Sequence, residues 1–241
     1  MIAVCSMFRD SQKWHGHDIG QVDRYLAQLE SQTVGLENLD IYAIEGHSTD
    51  DTFDRLNRLK NEFPNLYVFK DEGEAVQVAS NENPDRFLAL SRIGNQILSK
   101  VDLSKNYDYL LWVESDLVIP PNLIERLIET SKKYPAPNII APSAQILADG
   151  FVLFYDTWGF RYPGGKRWTN YIFPRDGRFI MDSIGSCALI DMDLMRKGLN
   201  FGTGCFVQLC NTARTWGATI VADCYTTIYH PSNSFIEGRW V

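Results

Sequence analysis

The 241-residue sequence predicts an α/β fold, a mostly parallel central sheet with helices on both faces. Three observations carry that prediction. Short apolar runs alternate with stretches of helical spacing, the rhythm of parallel strands joined by crossover helices. The central run Tyr109-Leu110-Leu111-Trp112-Val113 is apolar throughout, as a strand buried on both faces of a parallel sheet must be. The first four runs then stop at polar residues: Arg9-Asp10, Glu45, Asp71-Glu72 and Glu114-Asp116. Together these make a polar rim at the strand ends, where open α/β sheets bind ligands, although any one such loop is ordinary.

Taken in order, Ile2 to Phe8 is the first strand, and Val22, Tyr25, Leu26 and Leu29 have helical spacing after the gap SQKWHGHDIG. Leu39 to Ile44 is the second strand, and Thr49 or Asp50 can cap the helix that carries Phe53, Leu56 and Leu59. Leu66 to Phe69 is a third short strand. A polar stretch from Lys70 to Asp85 leads to a helix bearing Arg86, Arg92 and the apolar set Phe87 to Leu98. After the central strand, Pro120-Pro121 precede Leu123, Ile124, Leu127 and Ile128, so a helix begins there. Asn138 to Pro142 is another strand. The stretch from Phe151 to Phe179 is rich in aromatics, Gly and Arg without helical period, which predicts an irregular binding loop. Ser186 to Ile190 resumes a strand, a short helix runs from Met192 to Lys197, and Cys205 to Trp216 is a helix closed by Gly217. Ala218 to Tyr229 is the last strand, and 232–241 is a polar and aromatic tail.

Composition narrows the function classes. A hydrophobic share of 45% with 22% charged residues is that of a soluble globular chain, and the length suits one α/β domain. A formal charge of −7 counts against an electrostatic grip on nucleic acid, although a local basic groove can exist on an acidic protein. The five cysteines are odd in number and form no CxxC pair, so zinc is not expected and free thiols in a reducing cytoplasm are. No secretory leader and no apolar run of membrane-spanning length is visible, which also points to a cytoplasmic location.

The chemistry-bearing pair is Glu114 and Asp116, at the end of the central strand. Carboxylates are the hard oxygen ligands that Mg²⁺ or Mn²⁺ takes when it also carries substrate phosphates. On residue type alone, a capping Glu114 and a turn-starting Asp116 are equally open readings.

At this point the motifs resemble, in order, those of the GT-A-fold nucleotide-sugar glycosyltransferases. EGHSTDDT follows the second strand, SRIGNQIL lies on the helix before the acidic strand, and WVESDLVIPP holds the DxD-like motif. MDSIGSCALIDMDLMRKGLNF then looks like an acceptor-side segment, and the chain closes on YHP. EGHSTDDT is similar to an element of family 2-type transferases, and WVESDLVIPPNLIERLI, MDSIG and YH look closer to the fungal mannan-polymerase-subunit mannosyltransferases. The resemblance implies a single GT-A-like (Rossmann-like) catalytic domain over 1–231, with a nucleotide-binding half (1–120) and an acceptor-side half (121–231). It implies Phe8, Arg9, Glu45 and Asp50 as base- and ribose-binding residues and Arg92 as a basic residue facing the nucleotide. It also implies Asp116 and His230 as ligands of Mn²⁺ or Mg²⁺, and Glu114 as a contact to ribose or a metal-bound water. By itself His230 is equally a surface histidine at a strand end.

The implied activity is transfer of a sugar from a UDP- or GDP-linked donor to a hydroxyl of a glycan or other acceptor. One departure concerns the base. Inverting relatives carry an acidic pair at the start of the last helix, and here FGTGCFVQLCN has none. Retention of configuration is one explanation, and inactivity is another. A third is that another carboxylate serves; Asp156 and Asp182 are the candidates, though Asp156 could pair with Arg161 and Asp182 could be a turn residue. Arg161, Lys166 and Arg167 read as a diphosphate clamp or as solvated loop charges. Trp158, Tyr162 and Trp168 read as stacking faces or as local core. Three further functions compete: a glycosyltransferase acting on a hydroxylated base in DNA, a non-catalytic nucleotide-sugar-binding protein, and a sugar nucleotidyltransferase. The last would want glycines after the first strand, where Phe8-Arg9-Asp10-Ser11 has none.

Overall fold

The computed structural model describes residues 1–11, 20–75, 84–148, 151–168 and 176–231. Strands β1 (Ile2–Phe8), β2 (Leu39–Glu45), β3 (Leu66–Lys70) and β4 (Tyr109–Val113) alternate with helices α1 (Gln21–Glu30), α2 (Thr52–Leu59) and α3 (Pro84–Lys100). β1 pairs parallel with β2 on one side and β4 on the other, and β2 pairs parallel with β3. This is the expected rhythm. Helix α4 (Leu123–Ser131) starts just after the two prolines, where a missing N–H is tolerated.

The second half departs from that rhythm in direction. Strand β8 (Cys187–Asp191) enters antiparallel between β4 and β5 (Asn138–Ala148). β4 therefore has a parallel neighbour on the β1 side only. An apolar run reveals burial on two faces, but both neighbour directions bury it equally well. Strand β6 (Phe151–Phe154) folds back on β5, and β7 (Arg178–Ile180) pairs antiparallel with β9 (Thr219–His230). The stretch 151–179, expected to be irregular, thus contributes two short strands too brief to show a period. Its residues 169–175, and the tail 232–241, lie outside the described residues. Helices α5 (Met192–Arg196) and α6 (Cys205–Thr215) complete the elements, and Gly217 with φ 87° closes α6 in the left-handed turn that glycine favours.

Among the described residues one nine-stranded sheet runs β3-β2-β1-β4-β8-β5-β9-β7, with β6 on β5. β1 to β5 and β9 point one way, and β6, β7 and β8 the other, so the mixed sheet is mostly parallel. Strand alternation divides the core into two layers. Leu110 and Trp112 pack with Ile97 of α3 and Leu209 of α6, whereas Leu111 and Val113 pack with Leu26 of α1 and Leu127 of α4. Trp112 is 2% exposed and meets Phe201 edge-on at 4.7 Å between ring centroids. Truncating so large a core ring costs about 3–5 kcal/mol. All five cysteines are free, and no helix among the described residues is long and apolar enough to cross a membrane.

One irregularity shapes the site. β5 and β9 run in register to Pro142↔Asp223, and the pairing then resumes at Ser143↔Thr227. Pro142 offers no N–H to a ladder, and residues 224–226 have no partner on β5, a bulge that re-aims the end of β9. Tyr229 then exchanges two backbone hydrogen bonds with Val118, at 2.8 and 2.9 Å, fastening β9 to the loop after β4.

Candidate active site

The carboxyl ends of β1, β2, β3 and β4 open onto a cleft of about 900 Å³. At its floor the Tyr229–Val118 clasp brings His230 to Asp116. His230 Nε2 lies 3.1 Å from Asp116 Oδ2, and the imidazole stacks on Tyr155 with centroids 3.8 Å apart. The other Asp116 oxygen, Oδ1, is buried without a hydrogen-bond partner. Such an atom needs a cation or water to offset its desolvation.

Helix α1 holds this loop in shape. The Arg24 guanidinium donates to the carbonyls of Leu117 (2.8 Å) and Ser115 (3.0 Å), and Gln21 donates to the Ser115 hydroxyl at 2.9 Å. Gln28 Oε1 accepts from the Ile119 N–H at 2.8 Å. Burial lowers the Arg24 pKa to about 10, while the nearby Asp116 charge pulls it back up. These clamp residues were absent from the sequence reading, because a buried polar residue on an amphipathic helix carries no motif.

The surroundings push the pKa values of the two carboxyls in opposite directions. Burial raises the Glu114 pKa well above the usual range, and the Asp116 and Asp156 charges add to the effect. Burial acts on Asp116 too, but the His230 hydrogen bond and charge and the Arg24 charge outweigh it, leaving its pKa lowered. Adjacent carboxyls with pKa values pushed apart are suited to different tasks.

The upper wall of the cleft is built around Asp71, at the end of β3. Its side chain is fully buried and forms a bidentate pair with Arg92, whose Nη2 lies 2.8 Å from Oδ2. His47 Nε2 lies 3.2 Å from the same Oδ2. Burial raises the Asp71 pKa, and the Arg92 hydrogen bonds, the Gly73 N–H and the Arg92 and His47 charges outweigh it, so the carboxyl sits below its usual range. Gly73 makes room for the pair, since a Cβ there would stand 1.7 Å from Arg92 Nη1. His47 adopts φ 59°, a left-handed conformation uncommon in a non-glycine residue. Asp71 and His47 were visible in the polar rim and in EGHSTDDT, but nothing in their spacing tied them to Arg92.

Of the residues singled out from the sequence, Phe8, Arg9, Arg92, Glu114, Asp116 and His230 line the cleft. Glu45 and Asp50 do not. Glu45 is 1% exposed and accepts from the Ser48 N–H, while Asp50 Oδ1 accepts from the Thr52 N–H at 3.0 Å and from its hydroxyl. Both frame the loop that presents Gly46 and His47. Asp156 lines a second cavity beside the cleft, its Oδ1 accepting from the Gly159 N–H at 3.1 Å. Burial raises its pKa, opposed by the Ser186 hydroxyl and the Gly159 amide. Asp182 lines neither cavity. Its Oδ2 accepts from the Gly164 and Gly165 N–H groups at 2.8 and 2.7 Å, and Oδ1 pairs with Arg214 at 2.7 Å. Arg161 gives its guanidinium to the Trp158 and Phe160 carbonyls, and Arg167 lies 3.4 Å over the Trp158 ring.

Asp116 and His230 fit a divalent ion. Two cis ligands about 2.1 Å from one centre lie about 3 Å apart, close to the observed 3.1 Å. Among the described residues no group of three or more His, Cys, Asp or Glu is arranged for a metal. Remaining ligands would come from phosphate and water, the usual pattern for Mg²⁺-like ions.

No family model matches the chain, and no curated protein matches it in sequence. Solved structures do match in fold. S. aureus TarS 1-349 in complex with UDP-GlcNAc aligns with a TM-score of 0.60 at 12% identity, covering 96% of this chain and 58% of that one. The mannosyltransferase PcManGT from Pyrobaculum calidifontis, in complex with GDP-Man and Mn²⁺, aligns with a TM-score of 0.60 at 10% identity, covering 95% and 56%. The chain spans less than two thirds of the length of either structure. Its architecture is the GT-A-like α/β fold of these proteins.

Proposed function

We propose that the chain is a metal-dependent glycosyltransferase that moves a sugar from a nucleoside-diphosphate sugar to a hydroxyl acceptor. The observation that carries this reading is the Asp116–His230 pair, 3.1 Å apart on the floor of the cleft, with one Asp116 oxygen buried and unsatisfied. Proteins of the same fold have been solved with UDP-GlcNAc and with GDP-Man and Mn²⁺, which supports the same donor class here.

In this reading Asp116 and His230 hold Mn²⁺ or Mg²⁺, which when bound supplies Lewis-acid stabilisation of charge on the departing diphosphate. The chain's own groups do the rest. Arg92, held in place by its pair with Asp71, lines the nucleotide side of the cleft, and Phe8, Arg9 and His47 complete the base and ribose side. Glu114, which lines both cavities, contacts the ribose or a metal-bound water. Asp156 sits on the acceptor side, and α6 has no acidic residue in its first turn, in keeping with retention of configuration. Residues 1–120 then make up the nucleotide-binding half and 121–231 the acceptor-side half. The likeness to the fungal mannan-polymerase-subunit family belongs to this proposal, with a UDP- or GDP-linked sugar as the donor.

A thermal-shift screen tests the reading. UDP, GDP and their sugars with Mn²⁺ are expected to raise the melting temperature, and EDTA to abolish the effect, because only ligands of the native state stabilise it. Absence of any shift across the panel would remove the proposal.

A further inference from the structure

Beside the cleft lies a second cavity of about 540 Å³, within the usual range for small-molecule sites. Met7, Leu90 and Glu114 line both, so the cavities adjoin at these three residues. The remaining walls are strongly apolar: Phe87, Leu88, Trp112, Trp158, Phe201 and Phe206. Leu88 is 48% exposed at its lip, and Trp158 is 36% exposed.

The polar groups of this cavity are unevenly placed. Thr203 gives its hydroxyl to Gln208 at 3.2 Å, and Arg161 gives Nη1 to the Trp158 and Phe160 carbonyls. Two carboxyls line this cavity, Asp156 and Glu114, and Glu114 also lines the cleft. Ser186 joins them there, its carbonyl accepting the Glu114 N–H at 3.1 Å. The two carboxyls therefore offer hydrogen-bond partners, and the body of the cavity offers few.

We infer that this cavity receives an acceptor whose hydroxyl is borne on an apolar body, aromatic or prenyl-like, rather than a wholly polar saccharide. The inference rests on the glycosyltransferase reading of the cleft. A polar saccharide would bring several hydroxyls against mostly aromatic and aliphatic walls that offer few partners, and each unpaired group is costly to bury. An apolar body removes Leu88 and Trp158 from water instead, and its single hydroxyl is directed to Glu114 and Asp156, next to the cleft.

Titration of the full chain with three probes tests this: biphenyl-4-methanol (aromatic body), geraniol (prenyl body) and maltotriose (polar), each in the presence of Mn²⁺ and UDP or GDP. Tryptophan fluorescence and melting temperature are read together, with wild type and Leu88→Glu side by side. Leu88 is exposed, so the substitution alters the lip without opening the core. One apolar alcohol is expected to bind saturably, with affinity weakened about tenfold or more in Leu88→Glu, and maltotriose to bind weakly or not at all. The preferred alcohol tells an aromatic body from a prenyl one. Binding of maltotriose with both apolar alcohols inert would overturn the inference, as would equal binding of the alcohols to wild type and variant. A nucleotide-induced shift in those samples confines the failure to the second cavity, whereas its absence from the wild type indicts the cleft.

Discussion

His230 Nε2 rests 3.1 Å from Asp116 Oδ2, although the two stand 114 positions apart in the chain. The contact depends on three features acting in series: the bulge after Pro142↔Asp223, the Tyr229–Val118 backbone clasp and the Arg24 clamp on the Ser115 and Leu117 carbonyls.

Removing the carboxylate is the direct test of the pair. Asp116→Asn is expected to lower Mn²⁺-dependent release of nucleoside diphosphate by about 100-fold or more, with His230→Gln lower in the same direction. The melting temperature without ligand should change little, because Asp116 is a third exposed, at 32%. Undiminished turnover in Asp116→Asn would falsify the metal assignment.

The clamp predicts a different signature. Arg24→Ala leaves the Ser115 carbonyl without its donor and the Leu117 carbonyl with Gln28 Nε2 alone, at 3.3 Å, and should destabilise the fold by about 1–3 kcal/mol. It should also weaken Mn²⁺ and nucleotide binding, although Arg24 is placed against the loop backbone. Denaturant unfolding and a metal titration on the same preparation check both halves; stability loss with unaltered metal affinity would mean that the clamp does not set the site.

Asp71 yields a pH dependence. Its folded pKa lies below the usual carboxylate range, so its ionisation stabilises the fold above the unfolded value of about 3.9. That contribution is lost as pH falls through the folded value. Asp71→Asn should therefore be less stable near neutral pH by about 1–3 kcal/mol, and its stability should fall less steeply than the wild type's below about pH 4. Because Arg92 is 37% exposed, solvent screening places the effect toward the lower end of that range. Parallel acid-unfolding curves for the two proteins would contradict this account.

Asp182 separates a structural from a chemical carboxylate. Asp182→Asn keeps one acceptor for the Gly164 and Gly165 amides but loses the ion pair with Arg214, so unfolding should occur at lower denaturant. Nucleotide affinity should stay within about threefold of wild type, a change below 1 kcal/mol. A collapse of turnover at unchanged stability would return Asp182 to the catalytic candidates.

Much of the first half was legible in the amino-acid order. Apolar runs at Ile2–Phe8, Leu39–Glu45 and Tyr109–Val113, with helical spacing between them, mark parallel strands and crossover helices because these patterns reflect burial that any fold must satisfy. The positions of Asp116 and His230 at strand ends were legible for the same reason. Tertiary structure alone decided three things. The antiparallel entry of β8 beside β4 was hidden, since neighbour direction leaves no trace in hydrophobicity. The grouping of Arg92 with Asp71 and His47 was hidden. The choice between ligand and loop-fastening roles for Glu45, Asp50 and Asp182 was left open, although a cap at Asp50 and a turn at Asp182 were among the readings. It stayed open because a carboxylate that binds a ligand and one that caps backbone amides are the same residue in a sequence. What distinguishes them is which N–H groups the folded chain brings within reach, a property of distant segments meeting rather than of any one segment.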